Sequence, residues 1–184
     1  HVVAGMHGTV TANRAITNCD LILGAGLRFD DRVTGKISRF APKATVVHID
    51  IDPAEISKLV KAHVPVVGDL RDVLPRLQAE LKRLEIDEWW ETLHDWKGSY
   101  PERYKKDKPL VSQEVIQMLQ EATGGDCIVT TEVGQHQMFA ARLFPTNQPR
   151  SFITSGGLGT MGFGLPAAIG AAMARPGEQV VCVA

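Results

Sequence analysis

Five glycines fall within nine residues of the stretch Ser155-Gly156-Gly157-Leu158-Gly159-Thr160-Met161-Gly162-Phe163-Gly164, and an apolar run, Leu165-Pro166-Ala167-Ala168-Ile169-Gly170, follows it. Such a segment is not a plain core element. Glycine permits positive φ and lets backbone groups approach a ligand with no Cβ in the way. Pro166 falls in the tolerated first turn of the apolar helix that comes next. The backbone of 155–164 is therefore a shaped loop that presents N–H and C=O groups. Taken alone, it serves equally as a tight strand-to-helix turn or as a ligand loop.

A second glycine turn lies just upstream. Thr131-Glu132-Val133-Gly134-Gln135-His136-Gln137-Met138 follows the apolar run Cys127-Ile128-Val129-Thr130 and opens a helix through Phe139, Ala140, Ala141 and Leu143. A strand that turns through Gly134 into a helix puts free N–H groups and the positive dipole end where an anion such as a diphosphate can sit. Around these turns the pattern predicts a helix from Ser112, as its cap, with Val115, Ile116 and Leu119 inward and Gly124-Gly125 as its stop. Strands follow at 126–130, 151–154 and 179–184, with a helix to Arg175 between the last two.

The first half alternates strand and helix in the same way. Leu21-Ile22-Leu23, 45–51 and Val64-Pro65-Val66-Val67 are short β-branched runs, each followed by Gly or Asp, which is the pattern of a parallel sheet with crossovers. Asp52-Pro53-Ala54-Glu55 has the form of a helix start, with Asp as cap and Glu closing a capping box. Another helix follows Gly68-Asp69, with Val73, Leu74, Leu77, Leu81 and Leu84 on one face and Pro75 tolerated near its start. In such a sheet, ligands sit beyond the carboxyl ends of the strands. There Gly24-Ala25-Gly26 leads into Arg28-Phe29-Asp30-Asp31-Arg32-Val33, and Asp50 ends the next strand. The Gly-x-Gly lacks the third glycine of a dinucleotide fingerprint. The charges read either as phosphate and ribose contacts or as a surface ion-pair cluster of little energetic consequence.

Between the halves, 85–108 is a connector rich in aromatics; Trp89, Leu93 and Trp96 share a helical face, so part of it packs onto a domain and the rest runs extended. Its basic cluster, Arg103-Tyr104-Lys105-Lys106, is offset by Glu102 and Asp107, and the formal net charge of the chain is −1. These features point away from nucleic acid. No apolar run approaches the roughly 20 residues a spanning helix needs, which points away from a membrane. Cys19, Cys127 and Cys182 read as reduced core thiols of a reducing compartment. His48 reads as a packed or half-exposed strand residue, and His1, His63 and His94 have no assigned role. The chain starts at His1 without Met and stops inside a strand, so it is expected to be a segment of a longer polypeptide.

Both glycine turns, together with Gly5-Met6-His7-Gly8 and Gly26-Leu27-Arg28-Phe29-Asp30-Asp31-Arg32-Val33-Thr34-Gly35, resemble the catalytic large subunits of the acetohydroxyacid synthase (acetolactate synthase) family. The resemblance runs essentially from end to end. It implies an α/β fold of two incomplete open parallel-sheet domains: an FAD-binding middle domain (1–84), a linker (85–108), and the start of a thiamine-diphosphate-binding domain (109–184). It implies FAD contacts at Gly5, Met6, His7, Gly26, Arg28, Asp30, Arg32, Val33, Asp50, Ile51, Asp69 and Leu70. For thiamine diphosphate it implies contacts at Val133, Gln135, His136, Gly159 and Met161, of which the last four count as catalytic. A glycine-turn carbonyl, Gly159, would accept a hydrogen bond from the cofactor's amino group, and Met161 would wedge beneath its bent rings.

The implied reaction is decarboxylation of pyruvate and transfer of the two-carbon unit to a second 2-keto acid, pyruvate or 2-ketobutyrate, in branched-chain amino acid biosynthesis. FAD would serve structure without net redox change. Mg²⁺ would be held by a Gly-Asp-Gly motif beyond residue 184, and the glutamate that protonates the pyrimidine would come from another domain across a dimer interface. The expected assembly is a homodimer or tetramer with a regulatory small subunit. The compartment is cytoplasmic, with an organelle left open, and the isolated piece is expected to be inactive. The alternatives are a glyoxylate carboligase, a pyruvate oxidase, or a non-catalytic nucleotide-binding module; the Arg28 to Gly35 motif speaks against the oxidase.

Overall fold

The computed structural model describes residues 4–101, 104 and 109–184. The readings made for His1, Glu102, Arg103, Lys105, Lys106 and Asp107 lie outside these residues. The chain forms two compact units, one of described residues 4–101 and one of 104 and 109–184.

The first unit opens with a 3₁₀ turn, Gly5–His7, and helix α1, Val10–Asn18, whose cap Thr9 accepts the Ala12 N–H at 3.1 Å. Strand β1 (Leu21–Ala25), the short helix α2 (Asp31–Thr34), β2 (Thr45–Asp50) and β3 (Val64–Val67) follow. The strands form a parallel sheet in the order β1-β2-β3, with Gly24 opposite His48 and His48 opposite Pro65. Pro65 is accommodated because β3 is an edge strand, where a missing N–H leaves no ladder bond broken. Central β2 carries the core of the unit, with Val46, His48 and Ile49 buried.

Phe29 plugs this sheet from the loop after β1. Its backbone takes a positive φ of 47°. The buried ring meets Phe40 and His48 edge-on, at centroid distances of 5.8 and 4.9 Å. Gly24 makes room for it: a Cβ there would lie 2.7 Å from the tip of the Phe29 ring. His48 Nε2 donates to the Leu27 carbonyl at 2.8 Å, so a buried imidazole holds the same loop from below. His63, to which the sequence assigned no role, accepts the Val46 N–H through Nδ1 at 2.9 Å and ties the approach to β3 onto β2.

Three sequence expectations fail in this unit. Residues 52–55 form turns and no helix. Asp52 does cap, accepting the Ala54 N–H at 2.9 Å, but Ser57 takes φ 61° and its hydroxyl accepts the Ala62 N–H, which turns the chain away after one turn. Helix α3 spans only Leu70–Glu80 with Asp69 as its cap, so Leu81 and Leu84 fall beyond it, 58% and 64% exposed. Its half-buried residues are Leu70, Val73 and Leu77, and Leu74 is exposed. The strand expected over 45–51 ends at Asp50, leaving Ile51 exposed, while Gly24 and Ala25 belong to β1. Part of the connector is helix α4, Asp87–Ser99. Trp89 and Trp96 stack edge-on at 5.8 Å, and the Arg14 guanidinium of α1 lies over the rings of Trp96 and Tyr100 at 5.7 and 4.3 Å. This cation–π clasp joins α4 to α1.

The second unit is α5 (Ser112–Thr123), β4 (Ile128–Thr131), α6 (Gln135–Leu143), β5 (Phe152–Thr154), α7 (Gly164–Ala174) and β6 (Val180–Val183), with parallel strands in the order β5-β4-β6. Ser112 is the first residue of α5 and caps nothing: the cap is Val111, whose carbonyl accepts from Glu114 and Val115, and Val115 points outward. Gly124 ends α5 in the left-handed conformation, as the sequence implies. Alternation along β4 sends its side chains to opposite faces. Val129 joins Ile116, Cys127, Ala140 and Phe144 in a core under α5 and α6. Thr130 points to α7, where its hydroxyl donates to the Gly164 carbonyl at 3.0 Å. The cysteines Cys19, Cys127 and Cys182 are free thiols. Among the described residues, no helix is long and apolar enough to cross a membrane.

Candidate cofactor-binding site

In the second unit the order β5-β4-β6 makes β4 a switch point, from which the chain leaves to one neighbour and later returns on the other side. The carboxyl edge at such a point is where open α/β sheets bind ligands. Both glycine turns lie there, after Thr131 and after Thr154.

A buried polar rack ties the two strand ends together. The Thr131 and Thr154 hydroxyls are 2.6 Å apart, and Gln137 Nε2, from the first turn of α6, donates to Thr154 Oγ1 at 2.8 Å. Above it the turns touch. A Cβ on Gly159 would lie 3.8 Å from Val133 Cγ1, and Gly159 and Gly162 take φ of 64° and 80°, which glycine adopts without strain. The loop closes on itself through Ser155, whose carbonyl accepts the Gly159 N–H and whose hydroxyl accepts the Thr160 N–H, both at 2.9 Å.

The starts of the two helices differ in one respect that matters for an anion. Helix α6 begins after Gly134 with no side-chain cap, so the N–H groups of its first turn point outward with the positive dipole end. Beside them, His136 Nε2 is buried and has no hydrogen-bond partner among the described residues. That combination of an orphaned imidazole nitrogen and an uncapped helix start fits a diphosphate. At α7 the Glu132 carboxylate already occupies the equivalent place, accepting the Gly164 N–H at 2.5 Å and the Gly162 N–H at 2.9 Å. Hydrogen bonds from the backbone, Gly164 foremost, hold its carboxyl below the ordinary value of 4.5 against an opposing desolvation.

Gln135 and Met161 thus belong to adjacent turns on one edge. Gln135 is exposed, as are Met161 and Leu158, at 73% and 89%. Sequence reading missed Thr130, Thr131, Glu132, Gln137 and Thr154. The available signal was a run of three polar residues, Thr130 to Glu132, closing an otherwise apolar strand.

The first unit gathers its candidates along the carboxyl ends of β1, β2 and β3. Asn13 clamps Gly5 on both sides, accepting its N–H at 2.7 Å and donating to its carbonyl at 2.9 Å. A Cβ on Gly5 would collide with the Arg32 carbonyl oxygen and fall 2.6 Å from Val33 Cα, so Gly5, Arg32 and Val33 are in close contact. With Met6 they line a groove of about 510 Å³. His7, half-buried, ends the same turn. Gly26 hydrogen-bonds the Ile49 carbonyl and lies against Leu70, and Asp50 accepts the Asp52 N–H while Asp69 caps α3. The charges pair among themselves, Arg28 with Asp30 at 3.0 Å and Arg32 with Asp31 at 3.6 Å, on the surface. Such exposed pairs are worth about 0–1 kcal/mol. Among the described residues, no group of three or more His, Cys, Asp or Glu side chains is placed to hold a metal ion.

The class of protein follows from sequence comparison. The thiamine pyrophosphate enzyme central domain matches residues 1–77, and the thiamine pyrophosphate enzyme C-terminal TPP binding domain matches 132–184. The chain belongs to the thiamine pyrophosphate enzyme family.

Within that family its relatives are acetolactate synthase large subunits. It is 49% identical over 182 residues to the isozyme 2 large subunit of Escherichia coli K12, covering 97% of this chain and 32% of that protein. It is 50% identical over 190 residues to the isozyme 3 large subunit of the same organism, covering 97% and 33%. With the probable acetolactate synthase large subunit of Methanocaldococcus jannaschii it shares 49% over 191 residues, covering 98% and 32%. The chain spans about a third of the length of these curated relatives.

Proposed function

We propose that the complete protein carrying this chain is the catalytic large subunit of an acetolactate synthase, taking pyruvate and a second 2-keto acid to 2-acetolactate or 2-aceto-2-hydroxybutyrate. The observation that carries the reading is the meeting of two glycine turns at one sheet edge, one opening an uncapped helix, in a chain about half identical to such subunits.

Thiamine diphosphate, when bound, supplies the electron sink that lets a 2-keto acid lose CO₂. The work of this chain is to hold it. The first-turn N–H groups of α6, with Gln135 and His136, take the diphosphate. The Gly159 carbonyl would accept from the cofactor's amino group, and Met161 and Val133 would lie beside its rings. The unit at 4–101 takes FAD in a structural role, with Gly5, Met6 and His7 along the flavin. Gly26, Arg28, Asp30, Arg32, Val33, Asp50, Ile51, Asp69 and Leu70 serve the rest of the molecule. The protein works in the cytoplasm as a homodimer or tetramer with a regulatory small subunit.

The test is product analysis of the purified complete protein with pyruvate, thiamine diphosphate and Mg²⁺. Formation of 2-acetolactate supports the reading, whereas acetyl phosphate or condensation of glyoxylate would assign the chain to another member of the family. Cofactor binding left unchanged by Met161→Ala and Gln135→Ala would favour a nucleotide-binding module.

A further inference from the structure

The Glu132 carboxylate reaches from the end of β4 into the glycine loop, hydrogen-bonding residues 30 and 32 positions further along the chain. The loop needs such an outside anchor. Between Thr160 and Gly164 it has no side chain of its own that caps α7, since the cap position is Phe163 and its side chain accepts nothing. The first N–H groups of a helix must find acceptors elsewhere. Glu132 supplies both oxygens, one to Gly162 and one to Gly164, and its charge faces the positive end of the α7 dipole. From the other side Thr130 holds the Gly164 carbonyl. Gly164 packs so closely on β4 that a Cβ would lie 2.6 Å from the Glu132 nitrogen. The end of the loop is thereby pinned through N–H and C=O to Glu132, just past β4, and to Thr130 within it, and Met161 stands between this pin and the Ser155 pin on Gly159 and Thr160.

We infer that Glu132 is a positioning residue: its carboxylate fixes Gly162 and Gly164, and so sets where the Gly159 carbonyl and the Met161 side chain stand relative to a bound thiamine diphosphate. This rests on the function proposed above. It also divides labour between the two helix starts. With α7 already neutralised by Glu132, the anionic end of the cofactor is left to α6, and the α7 loop is left to shape the rings. Loosening Glu132 should therefore impair turnover more than cofactor retention.

The experiment uses the complete protein with Glu132→Gln, which keeps the shape but replaces one acceptor oxygen with a donor, and Glu132→Asp, which keeps both oxygens but withdraws them by one methylene. Thiamine diphosphate binding, kcat and KM for pyruvate, and the near-ultraviolet circular dichroism of the bound cofactor's aminopyrimidine are measured. A misplacement of about 1 Å costs up to ~100-fold in rate, so kcat is expected to fall about 10- to 100-fold in Glu132→Gln. KM and cofactor affinity should move by only about 3-fold, with an altered dichroism band and partial recovery in Glu132→Asp. A folded Glu132→Gln protein with wild-type kcat and dichroism overturns the inference while leaving the functional reading intact. Failure of the wild-type protein to bind thiamine diphosphate overturns both. If Glu132→Gln does not fold, Glu132→Asp decides by the same readouts. Loss of folding in both assigns Glu132 to the fold alone and also overturns the inference.

Discussion

Helix α7 contains two glycines that should respond in opposite ways to the same substitution. At Gly164 a new Cβ would meet the Glu132 nitrogen at 2.6 Å, the Thr131 carbonyl carbon at 2.8 Å and Glu132 Cγ at 3.1 Å. The first two are backbone of the central strand and cannot swing aside. At Gly170 nothing lies within 4 Å. Replacing glycine with alanine restricts the unfolded chain equally at both sites, so the difference between the variants isolates the clash. Gly170→Ala gains helix propensity of about 1 kcal/mol. Gly164→Ala overpacks at a cost of about 1–3 kcal/mol, with the upper end expected because backbone must move. The shared gain cancels, so the two variants should differ by the overpacking cost, about 1–3 kcal/mol. For a unit of this size, each kcal/mol shifts the melting temperature by about 4–8 °C. Thermal melting of both variants beside the wild type, followed by circular dichroism, reads this directly. A Gly164→Ala protein that melts at or above the wild type would refute the packing of α7 on β4.

In the first unit, Gly24→Ala should cost about 1–3 kcal/mol, because the Cβ would lie 2.7 Å from the Phe29 ring tip; an unchanged melting temperature would count against the Phe29 plug. Asn13→Ala leaves both polar groups of Gly5 without the clamp, at about 1–3 kcal/mol, and should weaken FAD retention by the complete protein, measured by flavin fluorescence released on dilution. The Glu132 carboxyl is lower in the folded protein than its ordinary 4.5, chiefly through hydrogen bonding from Gly164. Its contribution to stability is therefore fully present above about 4.5 and is lost as pH falls through the lower folded value. Hydrogen-exchange protection of the Gly162 and Gly164 amides should follow that course and lose it in Glu132→Gln.

What could be read in advance was local. Both glycine turns, the strands that feed them and the αL stop at Gly124 follow from residue types within a few positions of one another. Residues 52–55 mislead because a good cap says nothing about the next turn, where Ser57 adopts a left-handed backbone and captures Ala62. The apolar spacing continues through Leu81 and Leu84, but the helix ends at Glu80 and leaves both side chains exposed. The Glu132 anchor, the Thr131, Thr154 and Gln137 rack, and the Asn13 clamp on Gly5 were illegible for a different reason. Each joins residues eight or more apart through a hydrogen bond, and no periodicity in the chain encodes such a pairing.

The claim on which the rest depends is that the two turns at the carboxyl edge of β4 and β5 grip one cofactor. The most direct measurement is a crystal structure of the complete protein grown with thiamine diphosphate and Mg²⁺. The account predicts the Gly159 carbonyl within about 2.7–3.2 Å of the pyrimidine amino nitrogen, Met161 against the bent rings, and the diphosphate at the start of α6 beside His136. Cofactor density that touches only one of the two turns, or neither, would contradict it.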